Sequence, residues 1–390
     1  MPDRSNTRAA QGSGTIRQRK DGRWEARYTI GRDPGTGRQL QRSVYGTTQK
    51  DVLQKLQHVQ VSITKGTYIE PSRTTVGKWL DIWLAEYNKE IKARSLALYK
   101  GQIDYRIKPA LGAVKLSALR PHDIQAFLNQ QGQDAKGKSA LSPKSIKNLH
   151  GILHKALSQA VTNGYIKTNP SNACKLPRIE KKSIEPLNNE QISAFLQAIK
   201  GHPFEMVYTF TLFTGTRQGE ALGLTWDCVD FQNGTIHIYR QLQRTEGVYR
   251  FVTLKNDKAR TLTPASAVLQ LLRDHRRLQE DSRLLAGDLW EDANFVFTNE
   301  FGRHLMRETV YRHYKRIVGT LGIPAARFHD LRHSYAVAAL QSGDDVKTVQ
   351  ENLGHHTAAF TLDVYGHVTE KMKQESAARM DKFIRHVSEP

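Results

Sequence analysis

The sequence of 390 residues is poor in cysteine, with only Cys174 and Cys228 and no CxxC pair. Two cysteines cannot build the disulfide framework of a small secreted domain, and a reducing cytoplasm suits them. No apolar run reaches the roughly 18 residues of a membrane span. The opening residues are polar and have no apolar core, so a secretory signal is not expected. No basic amphipathic helix stands out as an anchor for an anionic membrane surface, so no membrane partner is expected. Acidic residues are also scarce: 38 Asp and Glu stand against 58 Lys and Arg, a formal charge of +20. A surplus of this size points to a polyanionic partner. It is unevenly spread, with +7 over residues 1–70, +11 over 71–180 and only +2 over 181–390. The first 180 residues are therefore expected to grip phosphate, while the remainder keeps a few uncompensated cations for local work.

What is present divides into three blocks and a linker, which suits the two or three domains expected of this length. In block 1–70, residues 1–12 are polar and expected to be disordered. Residues 14–46 alternate like strands around the hairpin signal Asp21-Gly22, and Gln39 to Tyr45 supplies a third strand. Thr47 or Thr48 can cap a helix whose apolar face is Val52, Leu53, Leu56, Val59 and Ile63. Block 71–170 reads as a four-helix bundle. Its signals are Trp79 to Tyr87, a run of Leu96, Tyr99, Ile103 and Ile107 that stops near Pro109 and Gly112, a start at Pro121, and another at Ser142-Pro143. Pro170, Pro177, Pro186 and Lys181-Lys182 mark 171–186 as a linker. Block 187–390 is mixed and mainly helical, with strand-like runs at 229–240, 248–254 and 260–263 that suggest a small antiparallel sheet. The fold class is thus multidomain α+β.

Four signals in the third block can carry chemistry. They are Thr214-Gly215-Thr216-Arg217-Gln218-Gly219-Glu220, Lys255 in a polar turn, His329-Asp330-Leu331-Arg332-His333, and Leu353-Gly354-His355-His356 with Tyr365 ten residues after His355. Taken singly, each has an ordinary reading: a solvated arginine or lysine, or a core tyrosine. Their order and separations together outweigh those readings. On a helix, His329 and Arg332 share a face.

With these motifs in this order, the chain resembles the tyrosine recombinase, or phage integrase, family over essentially its whole length. It is most similar in layout to integrases of temperate phages and conjugative transposons. The resemblance implies a site-specific recombinase that cleaves and rejoins DNA through a 3′-phosphotyrosine, integrating and excising a mobile element. The expected domains are an arm-type DNA-binding module (1–70), a helical core-binding domain (71–170), the linker (171–186) and a catalytic domain (187–390). Arg217 and Arg332 match the pair that clamps the phosphate, for which planar, forked guanidiniums suit the oxygens better than ammoniums. Lys255 matches the general acid, although Lys258 lies close by; proximity to other cations eases loss of a lysine proton. His329 and His355 match the remaining polar positions, and His356 is read as incidental. Tyr365 matches the nucleophile, a phenol whose pKa of about 10 clustered cations can lower. The phosphoryl bond energy is retained, so no cofactor is expected, neither ATP nor a metal. Glu220 and Asp330 are acids beside these groups that can orient Arg217 and His329.

His329 and His333 also mimic the His-Glu-x-x-His pattern of zinc hydrolases, but Asp330 replaces the glutamate and no separate third ligand is indicated. The nearest enzymatic alternative is a type IB topoisomerase, against which the separate first module argues. A non-catalytic architectural DNA-binding protein is disfavoured by the complete residue set. Expected DNA contacts are Arg17, Arg19, Arg23, Trp24 and Arg27 on the first sheet, and Lys92, Arg94, Tyr99, Lys100, Lys144 and Lys147 in the helical block. The expected partners are double-stranded DNA at core and arm sites, three further copies in a tetramer, and excisionase or DNA-bending accessory proteins. The expected location is the bacterial cytoplasm, on the nucleoid when bound. A helix from Thr369 to Val387 is expected to dock on a neighbouring subunit.

Overall fold

A computed structural model describes residues 15–65, 68, 73–133, 140–180, 185–254, 258–354 and 369–388, the last helix with side chains from 377 onward. The chain divides into two compact units, 1–180 and 181–390. The division falls inside the proline-rich stretch.

The first unit opens with an antiparallel sheet, β1 (Thr15–Gln18), β2 (Trp24–Arg32) and β3 (Gln39–Gly46), in the order β1-β2-β3. The β1–β2 turn uses Gly22 at φ +80°, a left-handed conformation that glycine adopts without a Cβ penalty. Helix α1 (Gln49–Thr64) is capped by Thr48, whose side chain accepts from the Asp51 amide. It covers one face of the sheet through Ala26, Tyr28, Val52 and Leu56, the buried centre of a small core.

The rest of the unit is helical. It contains α2 (Val76–Glu86), α3 (Ala93–Gln102), α4 (Lys108–Leu111), α5 (Pro121–Gln131) and α6 (Pro143–Thr162). The expected stop at Pro109 is softened. A π turn over Ile103–Ile107 joins α3 to α4, and the wider turn carries the helix past a residue with no amide to donate. Helix α6 starts as its sequence demands, with Ser142 accepting from the Ser145 amide and Pro143 in the first turn. Its buried stripe runs Ile146, Leu149, Ile152, Leu153, Ala156, Leu157 and Ala160. Trp79 ties α2 to it by donating Nε1–H to the Ala156 carbonyl at 2.8 Å.

The second unit contains α7 (Asn189–Ala198), α8 (Glu205–Thr214), α9 (Gln218–Leu222), β4 (Val229–Asp230), β5 (Thr235–Ile238), β6 (Arg240–Thr245), β7 (Val248–Thr253) and β8 (Arg260–Leu262). Helices α10 (Ser266–Ala286), α11 (Arg307–Thr320), α12 (Phe328–Gln341), α13 (Val346–Leu353) and α14 (Thr369–Ser388) follow. The run 229–240, expected as one strand, is broken. Asp230 Oδ1 accepts from the amides of Gln232 and Asn233, and the chain reverses at Gly234, φ +66°. This gives a β4-β5-β8 sheet and a separate β6–β7 hairpin, both antiparallel. One apolar core joins α7 to α12 around Phe195, Tyr208, Ile236, Leu272, Val310 and Leu331. A smaller one, Ala336, Leu340, Val349 and Leu353, clamps α13 onto α12.

Candidate active site

The site grows from two helix ends that stop for the same reason. Helix α8 ends at Gly215 (φ +63°) and α13 at Gly354 (φ +62°), both left-handed caps. The space at Gly215 is closed as well, since a Cβ there would lie 2.4 Å from Tyr335 Cδ1 and 2.7 Å from Leu353 Cδ2. Helix ends expose carbonyls that their own helix leaves unpaired, and cations suit them. Arg332 uses this. Its side chain is buried, Nη1 donates to the Gly215 carbonyl at 2.7 Å, and Nη2 donates to the Leu353 carbonyl. Arg217 donates from Nη2 to the next carbonyl along, Gly354, at 3.4 Å. Two guanidiniums distant in sequence therefore meet at adjacent peptide groups, immediately before His355.

Arg217 is also the N-cap of α9. Its amide donates to Glu220 Oε2 at 2.9 Å and its Nη1 to Glu220 Oε1 at 2.7 Å. Glu220 is buried, and Arg260 grips it from the other side, Nη2 to Oε2 at 2.7 Å and Nη1 to Oε1 at 3.2 Å. Burial alone pushes that carboxyl up, but the Arg260 hydrogen bonds and the charges of Arg260 and Arg217 prevail and hold it at about 2. Arg217 retains an open flank, its side chain 26% exposed.

Helix α12 carries His329 and Arg332 one turn apart, as their spacing requires. The rings of His329 and His333 meet edge to face, with centroids 4.9 Å apart. Desolvation first, then His333 and the cations Arg332, Arg217 and Arg327, hold the His329 pKa at about 4. The residue as a whole is exposed even so, which leaves a neutral imidazole accessible at neutral pH. His333 is likewise held at about 4, by burial foremost and against the pull of Asp330. Leu331 packs inward, but burial extends around the first turns of the helix and includes Arg332, His333 and Ser334.

One orientation expected from sequence is corrected. Asp330 does not hold His329. Its carboxylate caps α12, accepting the Arg327 amide at 2.7 Å and Arg327 Nη2 at 2.6 Å. Among the described residues no cluster of three His, Cys, Asp or Glu side chains is placed to hold a metal. Lys255, His355 and Tyr365 lie outside the described residues, as does His356. Lys258, the alternative to Lys255, is exposed. Arg260 was not singled out in the sequence, although a signal was there. It sits two residues from Leu262 on β8, so the alternation of a strand points it inward with that buried side chain.

In the first unit, Arg17 and Arg27 lie on the sheet face away from α1. They flank the buried carboxylate of Glu25, with Arg17 Nη2 at 2.7 Å and Arg27 Nε at 3.3 Å. Hydrogen bonds from Ser43, then from Arg17 and Arg27, hold Glu25 at about 2. Arg19 and Arg23 are exposed near the β1–β2 turn. Trp24 is on the other face, packed against the core beneath α1, which separates it from the cationic surface. In the helical part Lys92, Arg94, Lys100 and Lys144 are exposed and Lys147 is half-buried. Tyr99 stacks on Trp83, centroids 6.0 Å apart, and its hydroxyl accepts from Lys155, a cation the sequence reading missed.

The chain is similar to known proteins over most of its length. The Phage integrase family profile matches residues 185–372, and the Phage integrase, N-terminal SAM-like domain profile matches 75–131. A Tyrosine recombinase XerC-like protein of Caldanaerobacter subterraneus subsp. tengcongensis is 30% identical, over 91% of this chain and 95% of the relative. The ICEBs1 integrase of Bacillus subtilis is 23% identical over 95% of this chain and its own full length. Among solved structures, the Tn1549 transposon integrase in complex with a circular intermediate DNA superposes with a TM-score of 0.66 at 21% identity, covering 79% of this chain and 99% of that one. A lambda integrase tetramer bound to a Holliday junction gives 0.54 at 21% identity, covering 88% and 96%. The chain belongs to the phage integrase family and is a tyrosine recombinase. Among the described residues no helix is long and apolar enough to cross a membrane.

Proposed function

We propose that the chain integrates and excises a mobile element by cleaving and rejoining DNA at one phosphodiester per strand, with Tyr365 as nucleophile. The observation that supports this most is the convergence of Arg217 and Arg332 on the adjacent carbonyls of Leu353 and Gly354. This pins two cations beside the start of the segment that carries His355 and Tyr365. The Tyr365 oxygen attacks phosphorus, the bond to the 5′-oxygen breaks, and the phenolic proton passes to a neighbouring base. The leaving oxygen takes its proton from Lys255. Arg217 and Arg332 neutralise the equatorial oxygens as charge concentrates on the pentavalent centre. His329, neutral at physiological pH, offers a hydrogen bond without adding charge, and His355 supports the phosphate or the tyrosine. Rejoining reverses the steps with a different 5′-hydroxyl.

Residues 1–70 bind arm sites through the Arg17 to Arg27 surface. Residues 71–170 and 187–390 engage the core site, and 171–186 links them. The active form is a tetramer on DNA, served by excisionase or DNA-bending partners. Helix α14 supports the assembly reading, because Met380, Phe383, Ile384 and Val387 form an i, i+3, i+4, i+7 apolar stripe that is exposed in the isolated chain. A suicide DNA substrate nicked near the crossover tests the chemistry. The parent becomes covalently attached and Tyr365→Phe does not; attachment that persists in the variant rules out this nucleophile.

A further inference from the structure

Arg260 lies 40 residues from Glu220 in sequence, yet the two make the most buried ion pair among the described residues of the second unit. Its side chain is 8% exposed and that of Glu220 is 1% exposed. Both terminal nitrogens fork onto the two carboxylate oxygens, and Nε donates to the Asn352 carbonyl at 2.7 Å. The guanidinium fills the space beside Gly354, where a Cβ would stand 3.2 Å from Arg260 Cδ and Nη1. Arg260 therefore touches both places from which Arg217 is held, the Glu220 carboxylate and the 352–354 turn. It also opens β8, five residues after Lys255 in the sequence.

The charges give this geometry a consequence. Glu220 contributes one negative charge to a buried cluster with Arg217 and Arg260, leaving a surplus of one positive charge. Were Arg260 neutral, Glu220 and Arg217 would form a closed pair. The carboxylate would draw Arg217 inward and cancel its field at the open flank where an anion approaches. We propose that Arg260 is a positioning residue for strand cleavage. By carrying the Glu220 charge and bracing the Asn352–Gly354 turn, it leaves the Arg217 guanidinium electropositive and aimed at the phosphodiester. This rests on the reading of Arg217 as a phosphate clamp.

The test measures the rate of covalent attachment to a nicked suicide DNA at saturating DNA, with thermal unfolding followed on the same full-length proteins. Arg260→Gln is expected to slow attachment about 100-fold, the scale reached when one member of a buried charge pair is removed. Arg260→Lys recovers little, because an ammonium cannot fork onto both oxygens. The decisive variant is Glu220→Gln combined with Arg260→Gln. It removes the carboxylate that would otherwise close on Arg217 and is expected to attach at least about 10-fold faster than Arg260→Gln alone, a gain that a merely structural role would not produce. A double variant no faster than Arg260→Gln, or an Arg260→Gln within about two-fold of the parent, overturns the proposal. Should Arg260→Gln fail to fold, the double variant is compared with the parent directly. A rate within about 10-fold supports the proposal, and a rate as low as that of Arg217→Gln overturns it. The parent reading is separable: full attachment by Arg217→Gln would sink the clamp itself, whereas an inactive Arg217→Gln beside an unimpaired Arg260→Gln sinks only the role of Arg260.

Discussion

Two helices of the second unit begin with the same local device and put it to different use. Helix α9 starts at Arg217 with Glu220 three residues on, and α12 starts at Arg327 with Asp330 three residues on. In each, the acid accepts the arginine amide and pairs with its guanidinium. At α12 the arginine side chain is 57% exposed and the pair closes on itself, a cap and little more. At α9 a second, buried arginine joins the carboxylate, and Arg217 is released to reach the Gly354 carbonyl. The same arginine–acid i, i+3 pairing thus becomes a structural cap or a charged site according to what tertiary packing brings to its far side.

The contrast can be broken at its strongest point first. Glu220→Leu leaves Arg217 and Arg260 without their shared anion and is expected to cost about 3–5 kcal/mol in chemical denaturation, with loss of DNA attachment. Asp330→Leu faces an arginine that can turn to water, so a loss near that of Glu220→Leu would show the two caps to be equivalent after all. Next comes the glycine that supplies Arg332 with its carbonyl. Gly215→Ala must adopt φ +63° and displace Tyr335 and Leu353, for an expected cost of about 2–4 kcal/mol. Gly164→Ala has φ +73° with open space around it and should cost only about 1 kcal/mol. Asp330→Ala, measured in the same way, removes a cap for about 1–2 kcal/mol. The smallest effect is Arg327→Ala, about 1 kcal/mol or less, since its partner keeps the backbone amide and the lost charge is largely solvated.

Acidification sharpens the same comparison. His329 and His333 are held at about 4 against an ordinary 6.5. The unfolded chain therefore binds more protons between those values, and stability falls as pH drops from 6.5 to 4. Glu220 is held at about 2 against 4.5, so its contribution is intact above 4.5 and lost as pH falls towards 2. Denaturation midpoints across pH should show the histidine loss first, and His333→Leu should flatten it. A midpoint that rises as the pH is lowered from 6.5 to 4 would contradict the two neutral imidazoles.

Much of the first unit was legible because its signals are local. Thr48, Ser142 and Asp21-Gly22 act on residues two to four away, and the stripe of α6 repeats within one helix. What misled was also local: the run 229–240 has strand-like residues throughout, and its reversal depends on one aspartate taking two amides. Trp24 reads as part of a cationic surface because Arg23 precedes it and Arg27 lies three residues on, but alternation along β2 places it on the opposite face from Arg27.

By itself the sequence determined the family, the uneven charge, and the helix that brings His329 and Arg332 to one side. These follow from composition and from spacings of a few residues, which backbone geometry converts directly into a face or a cap. Only the tertiary structure decided that Glu220 belongs to two arginines while Asp330 belongs to Arg327. It alone brought Arg332 to Gly215, 117 residues away, and Arg217 to Gly354, 137 residues away. A guanidinium will pair with any carboxylate or helix-end carbonyl within reach, so its partner is selected by the packing that determines which of them comes near.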